Sequence, residues 1–175
     1  MIPAPGTASA RSPAEVARWC ESFERRCRAA GLRVTTQRLA VYRALAEDGS
    51  HPTADGLYAS LHDRMPGLSR ATVYRILDAL ERRQLVRRIG GSLGGGRFDA
   101  NVSTHQHLVC RVCGAMVDVI LPGWSGAAVP ASGVPGFEIE RLDVRLVGRC
   151  SRCRVSAGEA DTRSRSRPRA PRRRR

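Results

Sequence analysis

Four of the six cysteines form two matched pairs, Cys110-x-x-Cys113 and Cys150-x-x-Cys153, separated by 36 residues. A CxxC knuckle brings two thiolates to one cation, and two knuckles complete the closed tetrahedral sulfur set that structural Zn²⁺ prefers. Redox chemistry would need one pair near a helix N-terminus in a thioredoxin-like pattern, and that pattern is missing around both pairs. Disulfides belong to oxidising compartments. Met1–Pro5 holds no basic residue ahead of an apolar stretch, so no secretory leader is expected and a cytoplasmic location is. Zinc is therefore the reading. Cys20 and Cys27, seven apart on an expected helix, read as ordinary helix residues. A second candidate is His105-x-His107: on a strand, residues two apart project to one side, as two ligands of one ion require. Paired surface histidines share that spacing, so it does not decide alone.

Charge gives the next signal. Thirty basic and sixteen acidic residues leave a formal charge of +14. Every basic residue is Arg, a bias that a GC-rich genome produces unaided. Residues 154–175 hold nine Arg against Glu159 and Asp161, with Ser and Pro interspersed and no aromatic residue. Such a segment cannot bury enough surface to fold and reads as a disordered basic tail. It either adds non-specific attraction to phosphates or merely solubilises. The remainder still carries +7, so the folded part is basic in its own right. No apolar run approaches the roughly 18 residues of a membrane span, and no membrane association is expected.

The elements that must position these groups fall in two unlike halves. After a disordered start at 1–12, apolar residues at three- and four-residue steps predict a helix over Pro13–Ala30, stopped by Gly31. Further helices are predicted at about Thr36–Ala46, from Pro52-Thr53 onward, and over Arg70–Arg83 with Ser69 as its cap. In the last of these Val73, Ile76, Leu77 and Leu80 share a face, and Ala71, Arg75, Asp78 and Arg82 line the other. Two strand candidates follow, Leu85–Ile89 and Arg97–Asp99, joined by a glycine-rich stretch. Helix, turn, helix and hairpin is the order of a winged helix-turn-helix, whose exposed Arg-bearing helix suits the DNA major groove. The second half alternates as strands do at His107–Cys110, Met116–Leu121, Phe137–Glu140 and Asp143–Val147, with Pro122–Gly136 dense in Gly, Pro, Ala and Ser and a short helix expected near Trp124–Val129.

These residues resemble the ferric-uptake regulator (Fur) family of metal-dependent repressors, and most resemble its peroxide-responsive branch, PerR. The likeness runs from about Gly31 to Cys153. It rests on Val34-Thr35-Thr36-Gln37-Arg38, His51-Pro52-Thr53-Ala54-Asp55, Ala71-Thr72-Val73-Tyr74-Arg75, Arg97-Phe98-Asp99, His105-x-His107 and the two CxxC pairs, in order and at family spacing. The resemblance implies an α+β chain with an N-terminal winged helix at 13–93, a hinge at 94–99, and a small α/β dimerisation and metal-sensing domain with structural zinc at 100–153. It matches Cys110, Cys113, Cys150 and Cys153 to the zinc ligands. It places a regulatory Fe²⁺ or Mn²⁺ site on His51, Asp99, His105, His107 and Asp118, an N/O set suited to either ion and to Zn²⁺. Ala71, Thr72, Tyr74 and Arg75 are the expected DNA contacts. Two departures stand out: Gln106 and Leu142 replace residues of a further family metal site, which is expected to be absent, and the prolines of Pro122–Gly136 fall where relatives are helical.

The expected function is a homodimeric, metal-dependent repressor of a double-stranded DNA operator. Ligands shared between the two halves would fix the separation of the two recognition helices. Peroxide sensing, by oxidation of a ligating His51 or His105, is the first reading. Asp118 in place of Glu and the Arg97-Phe98-Asp99 sequence motivate it. An iron-responsive repressor is the alternative. An enzyme using a non-heme iron is disfavoured, since five protein ligands leave little room for substrate and no separate acid–base pair is visible. A structural zinc protein that binds RNA through the Arg tail is the third class.

Overall fold

The structure, a computed structural model, describes residues 11–90, 96–121, 136 and 144–154. Ser12 opens the first helix, α1 (Pro13–Ala29): its hydroxyl accepts the Glu15 N–H, and the Glu15 carboxylate accepts the Ser12 N–H in return. Arg11 and Ser12, expected to be disordered, are thus ordered. The Arg11 guanidinium also lies 4.0 Å from the centre of the Trp19 ring and donates to the Ala46 carbonyl at 2.7 Å. Residues 1–10 lie outside the described residues. Gly31 takes φ 64, a left-handed conformation glycine enters without steric cost, and the turn lets the Leu32 N–H reach the Cys27 carbonyl at 2.8 Å.

Helices α2 (Thr36–Glu47), α3 (Ala54–His62) and α4 (Arg70–Glu81) each start on a hydroxyl cap. Thr35, Thr53 and Ser69 accept the N–H groups of Arg38, Gly56 and Thr72. The predicted apolar face of α4, Val73, Ile76, Leu77 and Leu80, is buried in a core shared with residues of the other three helices. α4 stops at Glu81, two residues before the predicted end. Gln84 adopts φ 54, and the Leu85 N–H turns back onto the Leu80 carbonyl. Phe23 and Tyr42 stack at the centre of this core, ring centres 3.8 Å apart and 9° from parallel. Phe23 is fully buried. Phe23→Ala is expected to lower unfolding free energy by about 3–5 kcal/mol. Denaturant titration of the zinc-loaded protein checks this, and a loss below about 1 kcal/mol would show that the core closes over the gap.

Strands β1 (Arg87–Ile89) and β2 (Arg97–Asp99) pair antiparallel, Arg87 opposite Asp99, completing helix, turn, helix and wing. β1 is shorter than the predicted Leu85–Ile89 because Leu85 and Val86 are drawn into the helical core. The connecting residues 91–95 are not described. Residues 97–99, read by sequence both as the second hairpin strand and as the end of the hinge, pair as that strand. Phe98 and Ala100 are buried in the helical core, the Phe98 N–H donates to the Pro52 carbonyl at 2.9 Å, and Thr53 bridges Arg97. The crossing between the halves therefore falls after Asp99.

The second half holds β3 (Gln106–Cys110), β4 (Met116–Val119) and β5 (Arg145–Gly148), in the order β4-β3-β5. β3 runs antiparallel to β4 and parallel to β5. The parallel pairing carries the ends of β3 and β5 to the same end of the sheet, where both CxxC knuckles sit. Arg154, read as the first tail residue, closes a helical turn at 151–154; the rest of the tail is not described. Pro122–Gly136 apart from Gly136, the Trp124–Val129 helix, the Phe137–Glu140 strand and Leu142 also lie outside the described residues. Ile89 of the wing packs with Val109 and Met116 of the sheet, and Arg145 donates to the Gly90 carbonyl at 2.6 Å, so the halves touch directly. No described helix is long and apolar enough to cross a membrane.

Candidate metal centres and nucleic-acid interface

His51, Asp99, His105, His107 and Asp118 converge, each offering one ligand atom, all within 4.8 Å of one another. Two come from the winged half: His51 from the turn before α3, Asp99 from the end of β2. Three come from the sheet half. His107 and Asp118 are direct cross-strand partners on β3 and β4, which explains how residues eleven positions apart in sequence meet. His105 and His107 share a side, as the spacing predicts, with Nε2 atoms 3.0 Å apart.

The remaining distances describe a knot of nitrogen and oxygen. His51 Nε2 lies 2.7 Å from Asp118 Oδ1, and His105 Nε2 lies 2.9 Å from Asp99 Oδ2. His107 Nε2 is 3.7 and 3.8 Å from the same two oxygens. Ligands about 2.1 Å from one ion and at right angles to each other stand about 3.0 Å apart, so the short edges fit a shared cation. Asp99 Oδ2 and Asp118 Oδ1 are buried with no hydrogen-bond partner. Buried anionic oxygens left this way are costly unless a cation joins them. The donor set itself, imidazole and carboxylate, suits Fe²⁺, Mn²⁺ or Zn²⁺.

The surroundings orient the ligands. His105 Nδ1–H donates to the Ser103 carbonyl at 2.9 Å, which leaves the Nε2 lone pair for a metal. The Asn101 N–H donates to Asp99 Oδ1 at 2.7 Å and turns Oδ2 into the cluster. Burial pushes the Asp99 carboxyl up, but the imidazoles of His105, His107 and His51 set against it outweigh burial and hold the group well below the ordinary carboxylate range. Asp118 is likewise lowered: burial opposes and the adjacent His51 imidazole prevails. His105 is raised, because Asp99 and the Ser103 carbonyl outweigh its burial. His51, Asp99 and His107 are almost fully buried, whereas the Asp118 side chain is 32% exposed and marks the open side.

Cys110, Cys113, Cys150 and Cys153 form the second cluster. Cys113 Sγ lies 3.7 Å from Cys150 Sγ, far beyond a disulfide and close to the roughly 3.8 Å edge of a Zn–S tetrahedron with 2.3 Å bonds. N–H groups of Cys113, Cys150 and Val112 point at the Cys110 sulfur and hold its thiol low, while hydrogen bonding to Cys150 and the other crowded sulfurs pushes Cys153 up. One cation relieves that crowding. Gln106, which replaces an acid of the further family site, is buried and accepts the Leu121 N–H at 3.0 Å.

On α4, Ala71, Tyr74 and Arg75 are exposed, and Thr72 is half-buried. The Thr72 hydroxyl is engaged by Ser69 at 2.9 Å and by Arg75 at 3.0 Å. The predicted polar face is narrower than the sequence suggests. Asp78 and Glu81, both still partly exposed, pair with Arg88 of the wing at 2.6 and 2.9 Å, which ties the C-terminal half of α4 to β1. Sequence reasoning missed Asp55, whose carboxylate accepts from Tyr74 Oη at 3.3 Å and lies 3.5 Å from Arg70 Nε. Only the pairing of α3 with α4 in space reveals it.

Residues 29–147 match the ferric uptake regulator family. The chain is 35% identical over 123 residues to the peroxide operon regulator of Bacillus subtilis, spanning 70% of this chain and 85% of that one. It is 34% identical over 127 residues to the peroxide-responsive repressor PerR of Staphylococcus epidermidis, spanning 73% and 85%. Among solved structures, the ferric uptake regulator from Pseudomonas aeruginosa with manganese is similar at a TM-score of 0.59 and 28% identity, over 74% of this chain and 98% of that one.

Proposed function

Since the chain belongs to the ferric uptake regulator family, we propose that it is a cytoplasmic, homodimeric, metal-dependent repressor that binds operator DNA and releases it on exposure to peroxide. One observation carries the reading: the five-ligand cluster draws His51 and Asp99 from the winged half and His105, His107 and Asp118 from the sheet half. With all five engaged, the two halves hold one orientation, and in a dimer that sets whether two recognition helices reach successive major-groove half-sites. Shifting a 1:99 equilibrium to 99:1 requires about 5.5 kcal/mol of differential binding. A site completed only in one orientation supplies this more readily than a site housed in one half.

Ferrous iron at these ligands supplies one-electron chemistry toward peroxide, which manganese there does not. The chain's own residues supply the rest. His51 and His105 present their rings to the cluster, the buried side excludes solvent, and the half-exposed Asp118 leaves an approach for a small oxidant. The net change is one oxygen atom transferred from hydrogen peroxide to an imidazole carbon, with water as the other product. An oxidised ring is a poorer ligand, and the halves part. Likeness to peroxide regulators of two organisms supports this over the iron-responsive alternative. A regulator needs no turnover, and the cluster's ligands are fully committed to holding an ion.

Selection of duplexes from a random library with the Mn²⁺-loaded protein, followed by binding assays with and without metal, tests the repressor reading. Metal-independent binding would overturn it. Within the interface, Ala71, Thr72, Tyr74 and Arg75 are the proposed contacts. Arg75→Ala is expected to cost about 1–3 kcal/mol and to relax specificity at one base pair if Arg75 reads a guanine edge. A uniform loss with a shallower salt slope would assign it to phosphate instead. Unchanged affinity would remove α4 from the interface.

A further inference from the structure

We propose that Arg97 is a positioning residue of the five-ligand centre: its guanidinium holds the backbone turn that carries His51 to the other four ligands. The inference rests on the metal-centre reading above and names a residue that touches no ligand atom.

His51 is the anomaly that motivates it. Its φ is 56, in the left-handed region that non-glycine residues seldom enter. It also precedes Pro52, and a residue before proline is pushed toward extended backbone. Such a conformation is strained and persists only where its surroundings over-determine it. Here they do so largely through one side chain. Arg97 Nη1 donates to the His51 carbonyl at 2.9 Å and to the Ser50 carbonyl at 3.3 Å. The backbone around it completes the brace: Phe98 N–H donates to the Pro52 carbonyl, and Thr53 bridges Arg97. Before the turn, Asp48 Oδ1 accepts the Ser50 N–H at 2.8 Å.

The strand pattern explains why this falls to Arg97. Along β2, residues 97 and 99 share a side while Phe98 faces the helical core. Three consecutive residues thus anchor the strand, supply one ligand directly through Asp99, and hold a second ligand through its backbone. Both ligands from the winged half are thereby fixed to a single strand, so they move as a unit relative to His105, His107 and Asp118.

The test is a double-mutant cycle on the zinc-loaded full chain, with Mn²⁺ affinity read by the electron paramagnetic resonance of free Mn²⁺. R97A is expected to weaken Mn²⁺ binding roughly 10–100-fold, the usual effect of removing a group that orients a ligand. H51A should weaken it comparably, and R97A should cost nothing further in the H51A background, since its effect passes through His51. R97K, with one donor group and no fork, should fall between wild type and R97A. Zinc content should stay at one per chain throughout. Should R97A fail to fold, the R97K and R97K/H51A pair gives the same cycle. Unchanged Mn²⁺ affinity in R97A, or an equal further loss on top of H51A, overturns the proposal. Mn²⁺ binding that ignores H51A overturns the metal-centre reading itself, a distinct outcome.

Discussion

Cys110→Ser is expected to unfold the sheet half rather than merely to weaken DNA binding. The sulfur cluster is the tie between its distant segments. Among the described residues its apolar core consists of Val109 and Met116 with Ile89 lent by the wing, and small cores of this kind are commonly stabilised by a structural metal. The sulfur cluster joins the end of β3 to the residue pair after β5, two segments forty residues apart that pair in parallel. The Cys150 N–H already points at the Cys110 sulfur at 3.4 Å, so this residue lies at the junction of both knuckles. Structural zinc contributes about 10–16 kcal/mol of apparent binding in small zinc peptides at neutral pH, and in a coupled system that binding energy is folding energy. Serine removes a thiolate and leaves three. The expected result is zinc content well below one per chain, loss of sheet signal in circular dichroism, and a monomer in size-exclusion chromatography. The helical half, with its own core around Phe23 and Leu77, should keep its helical signal. A folded, dimeric, zinc-free variant would remove zinc from the fold.

The two clusters were legible to different degrees, for a physical reason. The cysteine set could be read from spacing alone because each knuckle is local: two residues between thiolates fix their separation before any tertiary contact forms. The imidazole and carboxylate set could not. His105 and His107 share a strand face, but His51, Asp99 and Asp118 reach them only through the β3–β4 register and the stitching of residues 50–53 to β2. Those three came from family resemblance. The helices were legible for the same local reason as the knuckles, from apolar periodicity and from the entrances at Thr53 and Ser69, while the caps at Ser12 and Thr35 come from the structure. Arg97-Phe98-Asp99 was legible as a strand after a glycine-rich stretch, but not what it would hold. Nothing local says that Phe98 will be buried between helices, or that this strand will carry a ligand and the brace of another.

Brief exposure of the Fe²⁺-loaded protein to hydrogen peroxide is expected to add the mass of one oxygen atom to a peptide containing His51 or His105. The Mn²⁺-loaded protein should gain none. Both rings have Nε2 in the cluster, but they differ in support. His105 is secured by its Nδ1–H bond to Ser103, whereas His51 Nδ1 is buried with no partner and its backbone is strained. Weakening the His51 ligand cuts its 2.7 Å tie to Asp118 of the sheet half, while Arg97 keeps the turn itself in place. Oxidation of His105 instead removes the ring nearest Asp99, at 2.9 Å, and so cuts the tie between the sheet and the wing strand. Either event should lower operator affinity at least about tenfold, or about 1.4 kcal/mol, and only in the iron form. Peptide mass spectrometry alongside the duplex-binding assay checks both halves of the prediction on one sample. If the iron form keeps both histidines intact and still holds the operator after peroxide, the protein is an iron sensor, and the half-exposed Asp118 serves metal exchange rather than oxidant entry.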